Sequence, residues 1–133
     1  ENHDLMTRLR QQKIANIKVP DVEVLGDKDD ADLLIVGFGG TFGHLHAAMD
    51  EMHAAGKKVA LAHFKYINPL PKNTQEVMMK YKRVVVAEQN MGQFAGYLRM
   101  KVDEFVPYQF NQVKGQPFVV SELVKAFNEI IVK

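Results

Sequence analysis

The residues of this 133-residue chain best suited to chemistry are a carboxylate, a glycine-rich turn and several histidines. Glu88 closes the apolar run Val84-Val85-Val86-Ala87, whose β-branched residues mark a strand buried on both faces. Gln93 stands three residues after Asn90, a capping-box spacing in which each side chain satisfies an orphan N–H at a helix start. A buried strand thus feeds a helix N-terminus with Glu88 at the junction, where ligands and partners meet a parallel sheet. Glu88 can act as a proton acceptor or bind a donor. It can equally tie down backbone N–H groups of the loop it begins, and the positive end of the next helix favours its ionised form. The sequence leaves both roles open.

Gly37-Phe38-Gly39-Gly40-Thr41-Phe42-Gly43 follows an apolar run and invites a nucleotide-binding reading. The spacing fails, because Phe42 stands at the third glycine position and His63-Phe64-Lys65 stands where an acidic residue is wanted, ~20 positions on. No P-loop lysine follows. A tight turn with close backbone packing is the simpler account, although helix N–H groups make anion contact easy. The same stretch mimics a nucleophile elbow with threonine for serine; lacking a base, Thr41 is expected to be an N-cap. His44 and His46 face different ways, and His46 and His53 are two turns apart, too far for one metal ion. These histidines are expected to be solvated or partly packed. No catalytic, cofactor-binding or metal-ligating residue is nominated.

These groups need elements to hold them. Residues 1–18 carry Arg8, Arg10, Lys13 and Lys18 beside a thin stripe of Leu5, Leu9 and Ile14, read as a helical arm ended by Pro20. Val22, Val24 and Leu25 suggest an edge strand, and Gly26 to Asp30 a turn. Leu33 to Phe38 reads as a central parallel strand. Leu45, Ala48, Met49 and Met52 recur at helical spacing, with Gly56 as the C-cap. Lys58 to Phe64 is the next strand. Asn73 and Glu76 form a second capping-box spacing before Val77, Met78 and Tyr81. Phe94, Leu98, Val102 and Phe105 predict a further helix, Tyr108 to Val113 an edge strand, and Lys114 to Pro117 a turn. Ser121 is expected to cap a last helix burying Leu123, Phe127, Ile130 and Ile131. Met49, Met52, Met78, Met79, Met91 and Met100 read mostly as core filler.

Strands recurring about every 25 residues leave room for a crossover helix each time, which predicts a three-layer α/β/α domain. The net charge of +1 gives no field selecting nucleic acid or an anionic membrane. Without cysteine the chain cannot itself hold an iron–sulfur cluster, and the absence fits a cytosolic protein. No apolar run approaches the roughly 20 residues of a membrane span. An opening on Glu1 suggests a piece of a longer polypeptide, with residues 1–20 an arm from a preceding domain and 21–133 the α/β domain.

Phe38-Gly39-Gly40-Thr41-Phe42-Gly43, Ile67-Asn68-Pro69-Leu70-Pro71, Val84 to Glu88 with Asn90, Gly92 and Gln93, and Lys114-Gly115-Gln116-Pro117-Phe118 carry a resemblance. In that order they resemble the C-terminal domain of the α subunit of 2-oxoacid:ferredoxin oxidoreductases, most closely the 2-oxoglutarate type. Residues 31–93 are similar to the C-terminal domain of transketolase-like thiamine enzymes. Gly40 departs from the family, which usually has serine there.

The resemblance implies a transketolase C-terminal-domain-like fold. Its mostly parallel sheet has five strands in the order 1-3-2-4-5, the first antiparallel. The Gly39–Gly43 and Glu88–Gln93 loops would then flank the switch crevice, with Gly39, Gly40, Thr41, Gly43, Glu88, Asn90, Gly92 and Gln93 as interface candidates. It implies a cytoplasmic enzyme converting a 2-oxoacid, coenzyme A and oxidised ferredoxin to acyl-CoA, carbon dioxide and reduced ferredoxin. Thiamine diphosphate, magnesium and the iron–sulfur cluster would lie in other domains or in the thiamine-binding β subunit. This domain would brace the assembly, meeting the preceding domains and that subunit, while ferredoxin and coenzyme A engage the whole complex. Two alternatives are a module binding an anionic ligand of the coenzyme A type, and the matching domain of a ketoacid dehydrogenase or transketolase.

Overall fold

The computed structural model describes residues 19–67, 69–89, 92–112 and 116–133. The expected arm over residues 1–18 lies outside these, as do Asn68, Asn90, Met91 and the Val113–Gly115 part of the expected turn.

Among the described residues the chain runs β1 (Val24–Gly26), β2 (Leu33–Phe38), a 3₁₀ turn (Gly39–Thr41), α1 (Phe42–Ala54), β3 (Val59–Phe64), α2 (Thr74–Lys80), β4 (Val84–Glu88), α3 (Gln93–Lys101), β5 (Tyr108–Asn111) and α4 (Val120–Ile131). The sheet order is β1-β3-β2-β4-β5, with β1 antiparallel to β3 and the other pairs parallel, as expected. The two edges are short, β1 having three residues and β5 four.

Alternation along the inner strands sorts the core into two layers. Leu34, Val36, Ala60, Ala62, Val84 and Val86 face α2 and α3, through Met78, Phe94 and Leu98. Leu33, Ile35, Leu61, Val85 and Ala87 face α1 and α4, through Leu45, Met49, Met52 and Phe127. Such strands are apolar at nearly every position because both faces are covered. Among the methionines, Met49, Met52 and Met78 fill the core, whereas Met79 and Met100 are exposed.

Gly56 ends α1 as expected. At φ +82° it takes a left-handed turn, with its N–H donating to the His53 carbonyl and Lys57 N–H to that of Met52. The predicted polar caps fare differently. Asn73 stands at the N-cap position of α2, but its side chain makes no cap bond. Instead its Oδ1 accepts Val22 N–H (2.8 Å) and its Nδ2 donates to the Val22 carbonyl (3.1 Å), so the amide pins the lead-in to β1. Ser121 is not a cap either: α4 starts at Val120, with the Val119 carbonyl accepting Glu122 and Leu123 N–H groups. The buried Phe118 fixes that entry just upstream. The helix predicted to continue through Phe105 ends at Lys101; Val102 is extended and Glu104 has φ +58°, though Val102 and Phe105 remain buried.

Replacing Asn73 with alanine is expected to cost about 2 kcal/mol, the scale for two part-buried hydrogen bonds. Chemical denaturation measures this. Unchanged stability would refute the clamp.

Candidate functional site

β2 and β4 run parallel and adjacent, with Leu34, Ile35 and Val36 opposite Val84, Val85 and Val86, so their carboxyl ends share one rim. From there α1 leaves to one face and α3 to the other, which makes this the topological switch point. Phe94 of α3 links the corners: its ring lies 4.5 Å from that of Phe38, the last residue of β2. It also meets Phe64, at the end of β3, edge-on at 5.5 Å.

Strand parity turns Glu88 to the face of Val84 and Val86, the face covered by α3. Its carboxylate is 1% exposed. Oε1 accepts Phe94 N–H at 2.9 Å and Oε2 accepts Ala95 N–H at 3.0 Å. These are the second and third residues of α3, the N–H groups an N-cap side chain would normally take. Gly92, at φ +94°, occupies the cap position and has no side chain to offer. The predicted cap, Asn90, lies outside the described residues, and the helix starts later, at Gln93. Glu88 supplies what the cap lacks. The favourable N-terminal field of α3 and two charge-assisted bonds sustain its burial. Of its two open roles, the geometry gives the structural one, directed at the helix rather than at the loop.

The glycine turn resolves by position. Gly37 lies on the α1 face, where an added Cβ would stand 2.3 Å from Leu45 Cδ1. Gly39 needs its left-handed φ of +69°, whereas a Cβ on Gly40 or Gly43 would meet nothing within 4 Å. Close packing thus explains Gly37 and conformation Gly39; neither explains the other two. Thr41, expected as an N-cap, sits at that position of α1 without capping it. Its buried hydroxyl donates to the Phe38 carbonyl at 3.1 Å, closing the turn onto β2.

No three His, Cys, Asp or Glu residues are grouped to hold a metal ion among the described residues. His46 pairs with Asp50 (3.2 Å), His53 with Asp27 (2.8 Å), and His44 packs edge-on to Phe118. These donors do not fit magnesium, and a chain without cysteine does not fit a cysteine-ligated iron–sulfur cluster. No helix among the described residues is long and apolar enough to cross a membrane.

Sequence reasoning missed a cavity of about 540 Å³ on the same rim, displaced toward β1 and β3. Asp21, Glu23, Phe42, His63, Lys65 and Tyr66 line it, with Val22 and Leu25. The His63 ring meets Phe42 edge-on, and its buried Nε2 has no hydrogen-bond partner. Burial lowers the His63 pKa; a backbone hydrogen bond to Gly39 opposes that shift and Lys65 adds to it. Phe42 (41%) and Tyr66 (47%) remain exposed beside it. Only the apolar and charged types around His63-Phe64-Lys65-Tyr66 signalled this, since the lining comes from four separate segments.

The model of the pyruvate:ferredoxin oxidoreductase core domain II matches residues 31–123. The 2-oxoglutarate oxidoreductase subunit KorA of Mycobacterium tuberculosis is 46% identical over 123 residues, covering 92% of this chain and 18% of that protein. The solved 2-oxoglutarate:ferredoxin oxidoreductase of Magnetococcus marinus superposes with a TM-score of 0.83 at 30% identity, over 98% of this chain and 23% of that one. A split-gene transketolase shares the fold, with a TM-score of 0.65 at 16% identity over 88% of this chain and 44% of that one. The chain spans 18 to 20% of the length of the curated relatives it matches.

Proposed function

The chain belongs to the pyruvate:ferredoxin oxidoreductase core domain II family, and from that premise we propose that it is a non-catalytic bracing domain of a 2-oxoglutarate:ferredoxin oxidoreductase α subunit. The whole enzyme joins a 2-oxoacid, coenzyme A and oxidised ferredoxin to give acyl-CoA, carbon dioxide and reduced ferredoxin. In this reading thiamine diphosphate, magnesium and the cluster are held by other domains or by the partner β subunit, in the cytoplasm. The interface in this reading is the rim carrying Gly39, Gly40, Thr41, Gly43, Gly92 and Gln93, with Glu88 buried beneath it, together with the exposed rings of Phe42 and Tyr66.

One observation carries the reading. Both oxygens of Glu88, the one buried carboxylate at the switch point among the described residues, are engaged by backbone N–H groups, which commits them to the start of α3. The same carboxylate occupies the place an anion would take at the start of α3, and its charge repels one. That argues for bracing over a site of the coenzyme A type in this crevice.

The test is 2-oxoglutarate-dependent ferredoxin reduction by the intact complex and by this 133-residue chain alone. Turnover is expected only from the complex. Reduction by the isolated chain would overturn the bracing role.

A further inference from the structure

The cavity on the β1 and β3 side of the rim holds about 540 Å³, within the roughly 300–1,000 Å³ of sites that enclose a drug-sized molecule. Its polar groups choose among occupants. Asp21 and Glu23 bring two carboxylates against the one ammonium of Lys65, so a small anion is repelled on balance. No three ligating side chains converge for a metal ion among the described residues. A purely apolar guest would strip water from those charges and return nothing. His63 adds a demand of its own. Its imidazole bonds the Gly39 backbone, and its buried Nε2 has no partner among the described residues. The bond to Gly39 favours the protonated ring, as donation to a carbonyl does. Nδ1 therefore carries the proton, and Nε2 of the neutral ring can only accept.

The rings of Phe42 and Tyr66 stand half-exposed in the wall. A planar cation answers all these features together. It has N–H donors for the carboxylates and for Nε2, and a flat, weakly hydrated face for an aromatic ring. Among protein side chains that is arginine, and a cavity of this volume takes its chain neighbours too. We propose that the cavity receives an arginine-bearing apolar segment of a neighbouring domain or subunit, its guanidinium set between Asp21, Glu23 and His63 Nε2 and stacked on Tyr66. The source of the segment rests on the bracing role proposed above; the chemistry of the site does not. Access to Nε2 requires the Phe42 ring, edge-on to the imidazole at 5.2 Å, to turn aside, a fast rotation for a half-exposed side chain. The Asn73 amide bonds both backbone groups of Val22 and so fixes the chain between the two carboxylates.

The 133-residue chain, labelled with nitrogen-15, is titrated with acetyl-Leu-Arg-Leu-amide and with the same peptide carrying lysine or glutamine for arginine. The arginine peptide is expected to bind saturably with a dissociation constant of roughly 1 mM, shifting the His63 Nε2 resonance and the amides of Asp21, Glu23 and Tyr66. Lysine should weaken binding about fivefold, the effect of losing a stacked cation, and glutamine at least as much. Asp21→Asn combined with Glu23→Gln should weaken arginine binding about tenfold, two exposed ion pairs being lost. Amide dispersion in the same spectra verifies that this variant is folded. Equal affinity for the glutamine peptide, or shifts that leave His63 Nε2 untouched, would overturn the proposal. In the intact complex, Tyr66 is replaced by photoreactive p-benzoylphenylalanine and the captured peptide is identified by mass spectrometry. Capture of a segment beside an arginine is expected; capture of an arginine-free segment, or of none, overturns the assigned partner. Ferredoxin reduction by the 133-residue chain alone, the result that sinks bracing, leaves the titration standing, so the two failures are told apart.

Discussion

Glu88→Ala is expected to lower the unfolding free energy by about 4 kcal/mol, since hydrogen bonds to a charged group contribute roughly 1.5–3 kcal/mol each and two are lost. The Phe94 and Ala95 N–H groups are left facing a cavity with no acceptor. Against the ~5–15 kcal/mol available to a small domain, that is a large fraction. The thermal midpoint should fall by ~10–15 °C. Glu88→Gln keeps one acceptor but turns an amide N–H toward a backbone N–H, so its loss should be about half as large. Denaturant titration of both variants reads the order. An alanine variant within about 1 kcal/mol of the parent would refute the carboxylate's role as a helix anchor. The glutamine variant addresses function as well: once assembled, an intact enzyme carrying it should keep its turnover per complex. A large fall in turnover without a fall in assembly would mean that the carboxylate handles protons after all.

Gly37→Ala is expected to cost about 3 kcal/mol, the upper range for overpacking a close-packed core. The new Cβ would stand 2.3 Å from Leu45 Cδ1 and 3.1 Å from Thr41 Oγ1. Relief requires Leu45, which is fully buried, to leave its rotamer in a filled core or α1 to shift away from β2, and Leu45, Met49 and Met52 lie along the buried side of that helix. Leu45→Ala alone should cost roughly 2–5 kcal/mol by leaving a void. Combined with it, Gly37→Ala should cost much less, because the colliding methyl is gone and only the 3.1 Å approach to Thr41 Oγ1 remains. A double-mutant cycle therefore predicts strong non-additivity, beyond ~1 kcal/mol. Simple additivity would show that the helix absorbs the methyl by other means.

The parts of this fold written plainly in the sequence are those set by burial. Leu33 to Phe38 and Val84 to Ala87 are apolar at nearly every position because helices cover both their faces, and their shortness and β-branched content favour a strand over a buried helix. Gly56 was equally legible, since a left-handed residue after an amphipathic stretch has few other meanings. What sequence spacing handled poorly is the destination of polar side chains. Asn73 has a cap within reach, yet it bonds Val22, 51 residues away. Thr41 turns back to Phe38, and the acceptor expected from a local cap arrives from Glu88, six residues before Phe94. Capping patterns describe a helix in isolation; here tertiary packing offered better partners. The cavity was hidden for the same reason, its walls coming from four segments that meet only once the sheet forms.

The short outer strands have a consequence for how this domain can be joined to others. Among the described residues, three at one border and four at the other present few free main-chain groups to recruit a foreign strand, so sheet extension across domains is disfavoured. In the bracing role proposed above, association is instead written in side chains at the ends of the sheet. Recognition of that kind can be retuned one substitution at a time without disturbing the ladder, whereas a shared sheet would bind the register of one domain to that of its neighbour.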